Sequence, residues 1–244
     1  MRLSLIVPIY QLGKYLAPML QTVAAQTVPF ELWLVLDGTT DQSAQIATQF
    51  VAGHSDWHVL TLAKHSGISH ARNVGLAHAT GEIVAFVDGD DRLAPDFVAT
   101  LVAGFDRGVV ATAVGYRWWQ EGRAHAPGWE TLSQAQMFAQ VSRHGSAVGG
   151  YVWNKAFLRT AIGDLRFDES LRLAEDYWFT ASFVAANAGQ YRYAPQVRYT
   201  KVMRPNSTIH SAGYGERQQE AQVFAKIARL GERLDERDDD HGKH

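Results

Sequence analysis

The sequence predicts an α/β fold, a mainly parallel sheet with helices on both faces. Apolar runs that end in glycine-bearing or acidic turns alternate with helix-period segments through the first half of the chain. Such alternation gives βαβ units and a parallel sheet covered on both sides. The length, 244 residues, suffices for one large α/β domain, and 46% hydrophobic with 20% charged residues is the composition of a globular protein.

In order, the strand expectations are Leu3–Ile9, Glu31–Leu36, Trp57–Leu62 and Ile83–Val87. The helices are expected near Tyr15–Gln26, Gln42–Ala52, Ile68–Ala79 and Pro95–Phe105. In the second half, Val109–Trp119 is β-branched and aromatic and reads as strand, and Arg123–Gly128 reads as loop. Leu132–Val141 reads as helix, and Ser146–Gly150 as a flexible stretch. Glu175–Ala186 has helical periodicity, Gln190–Val202 reads as strand, and Tyr214–Leu234 as a closing helix. No repeat and no linker divides the chain. The expectation is one domain over 1–234, with halves 1–105 and 106–234, followed by a charged, frayed tail over 235–244.

Net charge is −2, which gives no pull toward nucleic acid or anionic lipid. There is no cysteine, so disulfides, thiolate metal sites and cysteine nucleophiles are excluded. The opening apolar run reads as a first strand rather than a signal peptide, and no stretch approaches the ~20 apolar residues of a membrane span. The expected location is the cytoplasm, with peripheral docking at the inner face of the membrane left open.

Ligands of open α/β sheets lie beyond the carboxyl ends of the strands. Pro8-Ile9-Tyr10, Asp37-Gly38 and Asp88-Gly89-Asp90-Asp91 all fall there. Carboxylates at the end of a buried strand are costly without a positive partner, and Mg²⁺ or Mn²⁺ carrying a substrate phosphate is the obvious one. Gly89 would give close access. The same triplet also reads as a plain turn in which Asp91 caps the next helix. Asp37 can accept hydrogen bonds from a nucleobase imide or a ribose hydroxyl, Asp41 can cap a helix, and Arg72 can meet a base carbonyl or a phosphate.

Taken in order, Val7-Pro8-Ile9-Tyr10, Gln26, Asp37-Gly38-Thr39-Thr40-Asp41, Gly67 with Ala71-Arg72-Asn73-Val74-Gly75, Gly81-Glu82 and Phe86-Val87-Asp88-Gly89-Asp90-Asp91 resemble the family-2 glycosyltransferases. The resemblance implies the GT-A fold, Rossmann-like, and a nucleotide-sugar donor. It places Pro8 and Tyr10 in a base pocket, Asp37 and Arg72 on uracil, Asp88 on the ribose or the metal shell, and Asp90 on the metal. One departure is Leu36-Asp37, where the family often has two acids.

Further along, Glu175-Asp176 at a helix start resembles the family's acidic pair, as do Phe167-Asp168-Glu169 and Trp153-Asn154-Lys155 upstream. Acids also favour a first helical turn for dipole reasons alone. The resemblance makes Asp176 the general base, and Glu175 would position the acceptor or tune its neighbour. Lys201 to His210 resembles the family's C-terminal arginine-and-serine segment, with Arg204 and Ser207 on the diphosphate and His210 a candidate metal ligand. Lys201 alone reads as a solvated strand-end charge. Tyr116, Trp118, Trp119, Trp129, Tyr151 and Trp153 are either sugar platforms or core.

The expected function is therefore inverting transfer from a UDP-sugar to a hydroxyl of a saccharide or lipid-linked acceptor, in surface polysaccharide, lipopolysaccharide or other glycoconjugate synthesis, with Mn²⁺ or Mg²⁺ as cofactor. A sugar-phosphate nucleotidyltransferase is the first alternative. The segment Pro8 to Lys14 has one glycine and one lysine where such enzymes carry a glycine-rich basic loop. An inactive nucleotide-sugar-binding protein of the same fold is the second.

Overall fold

The computed structural model describes residues 1–118, 128–203 and 213–241. Four strands form where the first half predicts them: β1 (Leu3–Ile9), β2 (Glu31–Asp37), β3 (Trp57–Leu62) and β4 (Ile83–Phe86). They alternate with α1 (Leu16–Ala24), α2 (Ser43–Val51) and α3 (Ile68–His78). A short β5 (Arg92–Leu93) and α4 (Phe97–Ala103) follow. The second half adds β6 (Val109–Trp118), β7 (Glu130–Leu132), α5 (Gln134–Val141), β8 (Lys155–Leu158), α6 (Arg159–Ile162), α7 (Glu175–Ala186), β9 (Gln190–Lys201) and α8 (Tyr214–His241).

All these strands join one sheet of order β3-β2-β1-β4-β8-β6-β9-β5, with β7 also on β9. β1 is parallel to β2 and β4, and β2 to β3. β8 is antiparallel to both β4 and β6, so β6 runs with β4, and β9 is parallel to β6. Only β5, β7 and β8 run against the rest. This is the mostly parallel sheet of the GT-A fold.

Every residue of β1 is buried, as a central strand covered on both faces requires. Successive side chains alternate faces. Leu3, Leu5, Val7 and Ile9 join the core under α1 and α4, while Ile6 joins the opposite core with α3, α5, α7 and α8. Burying each such side chain contributes about 1.5–3 kcal/mol, so the two cores fix β1 and the position of its carboxyl end. α3 lies close on the sheet because Ala71 and Gly75 face it; a Cβ at Gly75 would run into Ile6 Cγ2. Gln26 ties the end of α1 to the start of α4, donating to Ala94 O at 2.9 Å and accepting from Val98 N at 2.9 Å.

Three expectations need correction. Residues 130–132 pair with β9 as strand, and helix begins only at Gln134, where Ser133 and Gln136 form a reciprocal capping box. The stretch 146–150, expected to be flexible, is pinned. Lys155, fully buried, donates from Nζ to Val148 O, Gly149 O, Tyr151 O and Asn154 Oδ1 at 2.6–3.2 Å. Burial pushes the pKa of Lys155 down, to about 7, yet four surrounding oxygens suit an ammonium, since a neutral amine has only two hydrogens to donate. The charged tail does not start as frayed chain at Asp235, because α8 continues to His241. Among the described residues no helix is long and apolar enough to cross a membrane.

Candidate active site

The ends of β1, β2 and β4 bring the expected residues to one edge, and the end of β9 joins them. β4 passes into Asp88-Gly89-Asp90-Asp91, and the three carboxylates have ligand oxygens within 4.8 Å of one another. Gly89 brings this turn close against β1: a Cβ there would displace Leu12 Cδ1 and lie 3.3 Å from the carbonyl oxygen of Pro8. Pro8 itself is buried in β1.

Asp91 is not the cap of α4. That helix starts at Phe97 with Asp96 in the cap position and no side-chain cap bond, and Asp91 is fully buried. Its carboxylate accepts hydrogen bonds from the Tyr199 hydroxyl, from Lys201 Nζ at 3.0 Å and from Val202 N at 2.8 Å. Burial, with Asp88 and Asp90 beside it and against the pull of Lys201, pushes its pKa up to about 7. Asp88 goes the other way. Burial opposes its charge, but Lys201 Nζ at 2.7 Å and Arg72 Nη2 at 3.0 Å hold the carboxyl down to about 2. Lys201 is thus no solvated charge: it is 15% exposed and sits between two carboxylates. Asp90 is 5% exposed, and its backbone carbonyl accepts from Arg92 Nη1 at 3.1 Å. Three hard carboxylate oxygens in one cluster fit Mg²⁺ or Mn²⁺.

Arg72 reaches inward from α3. Its guanidinium, 2% exposed, donates to Asp88 Oδ1 and to Glu175 Oε1, both at 3.0 Å, and lies over the Phe167 ring. The next residue grips the chain just before α7: Asn73 Nδ2 donates to Phe167 O at 2.9 Å and Glu169 Oε1 at 3.0 Å, while its Oδ1 accepts from Phe167 N. Arg72 and Asn73 therefore carry Glu175 and Asp176 to the acid cluster from about a hundred residues away. Ala174, directly before α7, has φ 58°, a left-handed conformation that costs an ordinary residue roughly 1–2 kcal/mol and is held by these contacts on either side. Asp176 accepts from Tyr177 N at 2.8 Å. Burial and the adjacent Glu175 push its pKa up to about 7, with Arg72 pulling the other way.

At the other end of the edge, Asp37 is 2% exposed and its oxygens accept from Ser66 N at 2.7 Å and Gly67 N at 2.8 Å, with His65 Nδ1 also 2.8 Å away. It organises the loop entering α3. Tyr10, 42% exposed, stacks on His65 with centroids 3.7 Å apart. Asp41 is not the N-cap of α2: that position is Gln42, which makes no side-chain cap bond, and Asp41, one residue earlier, accepts from Ser43 N at 3.0 Å and Gly13 N at 2.8 Å.

The aromatic set divides. Trp153 is 2% exposed and stacks between Tyr151 and Tyr199, so it is core. Trp118 and Tyr151 are half-buried and touch edge to face. Trp129 packs against Gly104 under Arg192. Trp119, Arg204, Ser207 and His210, and residues 123–127 of the expected loop, lie outside the described residues. Sequence reasoning missed Lys201, Tyr199, Lys155 and His65 as parts of this edge. Lys155 and Lys201 stand in segments that carry the resemblance, and Tyr199 and His65 have no mark beyond their places near the end of β9 and in the loop after β3.

Comparison with known proteins agrees with this fold. The family model described as "Glycosyl transferase family 2" matches residues 4–165. The chain is 30% identical over 190 residues to the uncharacterized glycosyltransferase EpsJ of Bacillus subtilis, covering 73% of this chain and 55% of that one. It therefore spans about half the length of that relative. Among solved structures, residues 1–349 of S. aureus TarS in complex with UDP-GlcNAc superpose with a TM-score of 0.75 at 24% identity, covering 94% of this chain and 66% of that one. The mannosyltransferase PcManGT of Pyrobaculum calidifontis, in complex with GDP-Man and Mn²⁺, gives 0.69 at 23% identity, with 93% and 64% covered. These two are likenesses of fold. With the model matched across two thirds of its length, the chain belongs to glycosyl transferase family 2.

Proposed function

We propose that the chain transfers a sugar, with inversion, from a UDP-sugar to an acceptor hydroxyl of a saccharide or lipid-linked saccharide in glycoconjugate synthesis. The observation that carries this is the unbroken run of charges Asp91–Lys201–Asp88–Arg72–Glu175, which links the acid cluster to the helix start bearing Asp176. A donor diphosphate beside the cluster would present its sugar toward that helix. Asp88 and Asp90 would hold Mg²⁺ or Mn²⁺, which when bound supplies positive charge against the departing diphosphate.

The chain's own groups do the rest. Tyr10, with Pro8 and Asp37 behind it, lines the base end; Asp37 acts there through the loop that it holds. Asp176 takes the acceptor's proton as the oxygen bonds to the anomeric carbon and the bond to the diphosphate breaks. One carboxylate suffices, because no covalent glycosyl-enzyme forms. Glu175, fixed by Arg72, positions the acceptor. Arg204 and Ser207 are proposed partners of the leaving diphosphate, and His210 a further metal ligand. Trp118 and Tyr151 offer an apolar face to the acceptor.

The test is nucleotide release from a panel of UDP- and GDP-sugars, each with and without Mn²⁺. Metal-stimulated release from at least one UDP-sugar is expected, and none from any donor would sink the reading. The pH profile is a second test. Asp176 works as the carboxylate and its pKa is raised to about 7, so kcat/KM should fall about tenfold per unit below pH 7 and level off above it. A limb near pH 4 instead would show an unperturbed carboxylate at work.

A further inference from the structure

We propose that Lys201 is a resident counter-cation that holds the acid cluster until donor and metal arrive together, so that metal binding without nucleotide is suppressed. The proposal rests on the reading that Asp88 and Asp90 take the divalent ion. Its own ground is geometric. The Lys201 ammonium lies 2.7 Å from Asp88 Oδ2 and 3.0 Å from Asp91 Oδ2, inside a group of carboxylates whose ligand atoms span no more than 4.8 Å. An ion entering that group would bind its oxygens at about 2.0–2.1 Å and would face the ammonium at close range. The two cations would compete for the same Asp88 oxygen and repel each other across it.

The lysine is built to stay. It is the last residue of β9, and the strand end is fastened by the Tyr199 hydroxyl and the Val202 N–H on Asp91. Its ammonium lies over the Trp153 ring, with Nζ 5.8 Å from the centroid. A bare divalent ion must therefore displace a charge-assisted pair and brings no anion with it. A nucleotide diphosphate changes this. Its oxygens accept the ammonium and ligate the ion at once, so both cations keep anionic partners. The consequence is positive coupling: nucleotide tightens metal binding, and metal tightens nucleotide binding by the same factor.

The experiment is titration with Mn²⁺, following the free ion by electron paramagnetic resonance, with and without UDP, for wild type, Lys201→Met and Lys201→Arg. In wild type UDP is expected to tighten Mn²⁺ by at least about tenfold. Lys201→Met should bind Mn²⁺ without UDP about tenfold or more tighter than wild type, and UDP should add little further. Lys201→Arg, which keeps the charge, should resemble wild type. Circular dichroism establishes that each variant is folded, and if Lys201→Met is not, the coupling in wild type and in Lys201→Arg carries the test. Equal UDP-free affinity in wild type and folded Lys201→Met, or no UDP effect in a wild type that binds Mn²⁺, overturns the counter-cation role alone. No Mn²⁺ uptake by any of the proteins, with or without UDP, overturns the metal reading beneath it.

Discussion

Asp176→Asn is expected to cut transfer by about 10²- to 10⁴-fold, the usual contribution of a positioned base, while UDP affinity stays within about twofold. Asparagine keeps the shape and the oxygen that accepts Tyr177 N, but it holds no proton-accepting charge at any working pH. Arg72 keeps its two hydrogen-bonded partners, Glu175 and Asp88, so the site's frame survives. Stability should move opposite to activity. A carboxyl whose pKa is raised by folding favours the fold at low pH, and that contribution is lost as pH rises through about 7. The variant, neutral throughout, escapes this loss. It should melt at or above the wild-type temperature at pH 8, with less advantage at pH 5. Kinetics and thermal melts at the two pH values check both halves. Near-normal transfer removes Asp176 from the role of base, and a large loss of melting temperature would mean that its effect is structural.

What could be read in the sequence was what depends on near neighbours. Apolar runs set β1 to β4 within a residue or so: β1, β2 and β4 are covered on both faces and so nearly apolar throughout, and β3 is the half-buried edge strand. The helix start at Glu175 was also placed to the residue. The strand-end rule located the acid cluster before any fold was known. Partners were not legible. Lys201 looks like an exposed terminal charge until β9 is laid beside the acids after β4, some 110 residues earlier, and Asp91 looks like a cap until Tyr199 and Val202 close on it. The rigidity of 146–150 was hidden for the same reason: its glycines suggest freedom, and nothing local marks Lys155 as the residue that pins them. Ala174 carries no local mark of its left-handed backbone.

Arg72 is where the local and the assembled readings diverge most, and Arg72→Met is expected to cost the fold about 3–5 kcal/mol. Read alone, an arginine near a strand edge faces a ligand. In the fold it is 2% exposed and its two terminal nitrogens are spent on Asp88 and Glu175. Burial opposes its charge, but Asp88, Glu175 and Asp176 outweigh this and raise its pKa further. Methionine fills similar space over Phe167 and removes the charge, leaving Glu175, 12% exposed, without its cation and Asp88 with Lys201 alone. The loss corresponds to roughly 6–20 °C in melting temperature for a chain of this size. Asp176 also loses the cation that lowers its pKa, so the acid limb of kcat/KM should move to higher pH in whatever activity survives. Arg72→Lys keeps the charge but loses the planar fork whose two nitrogens reach Glu175 and Asp88 separately, and it should fall between the two. Differential scanning fluorimetry ranks the three proteins. A methionine variant that melts within about 2 °C of wild type, less than one kcal/mol on this scale, would show that the bridge between the donor side and the helix of the base is not what holds them together.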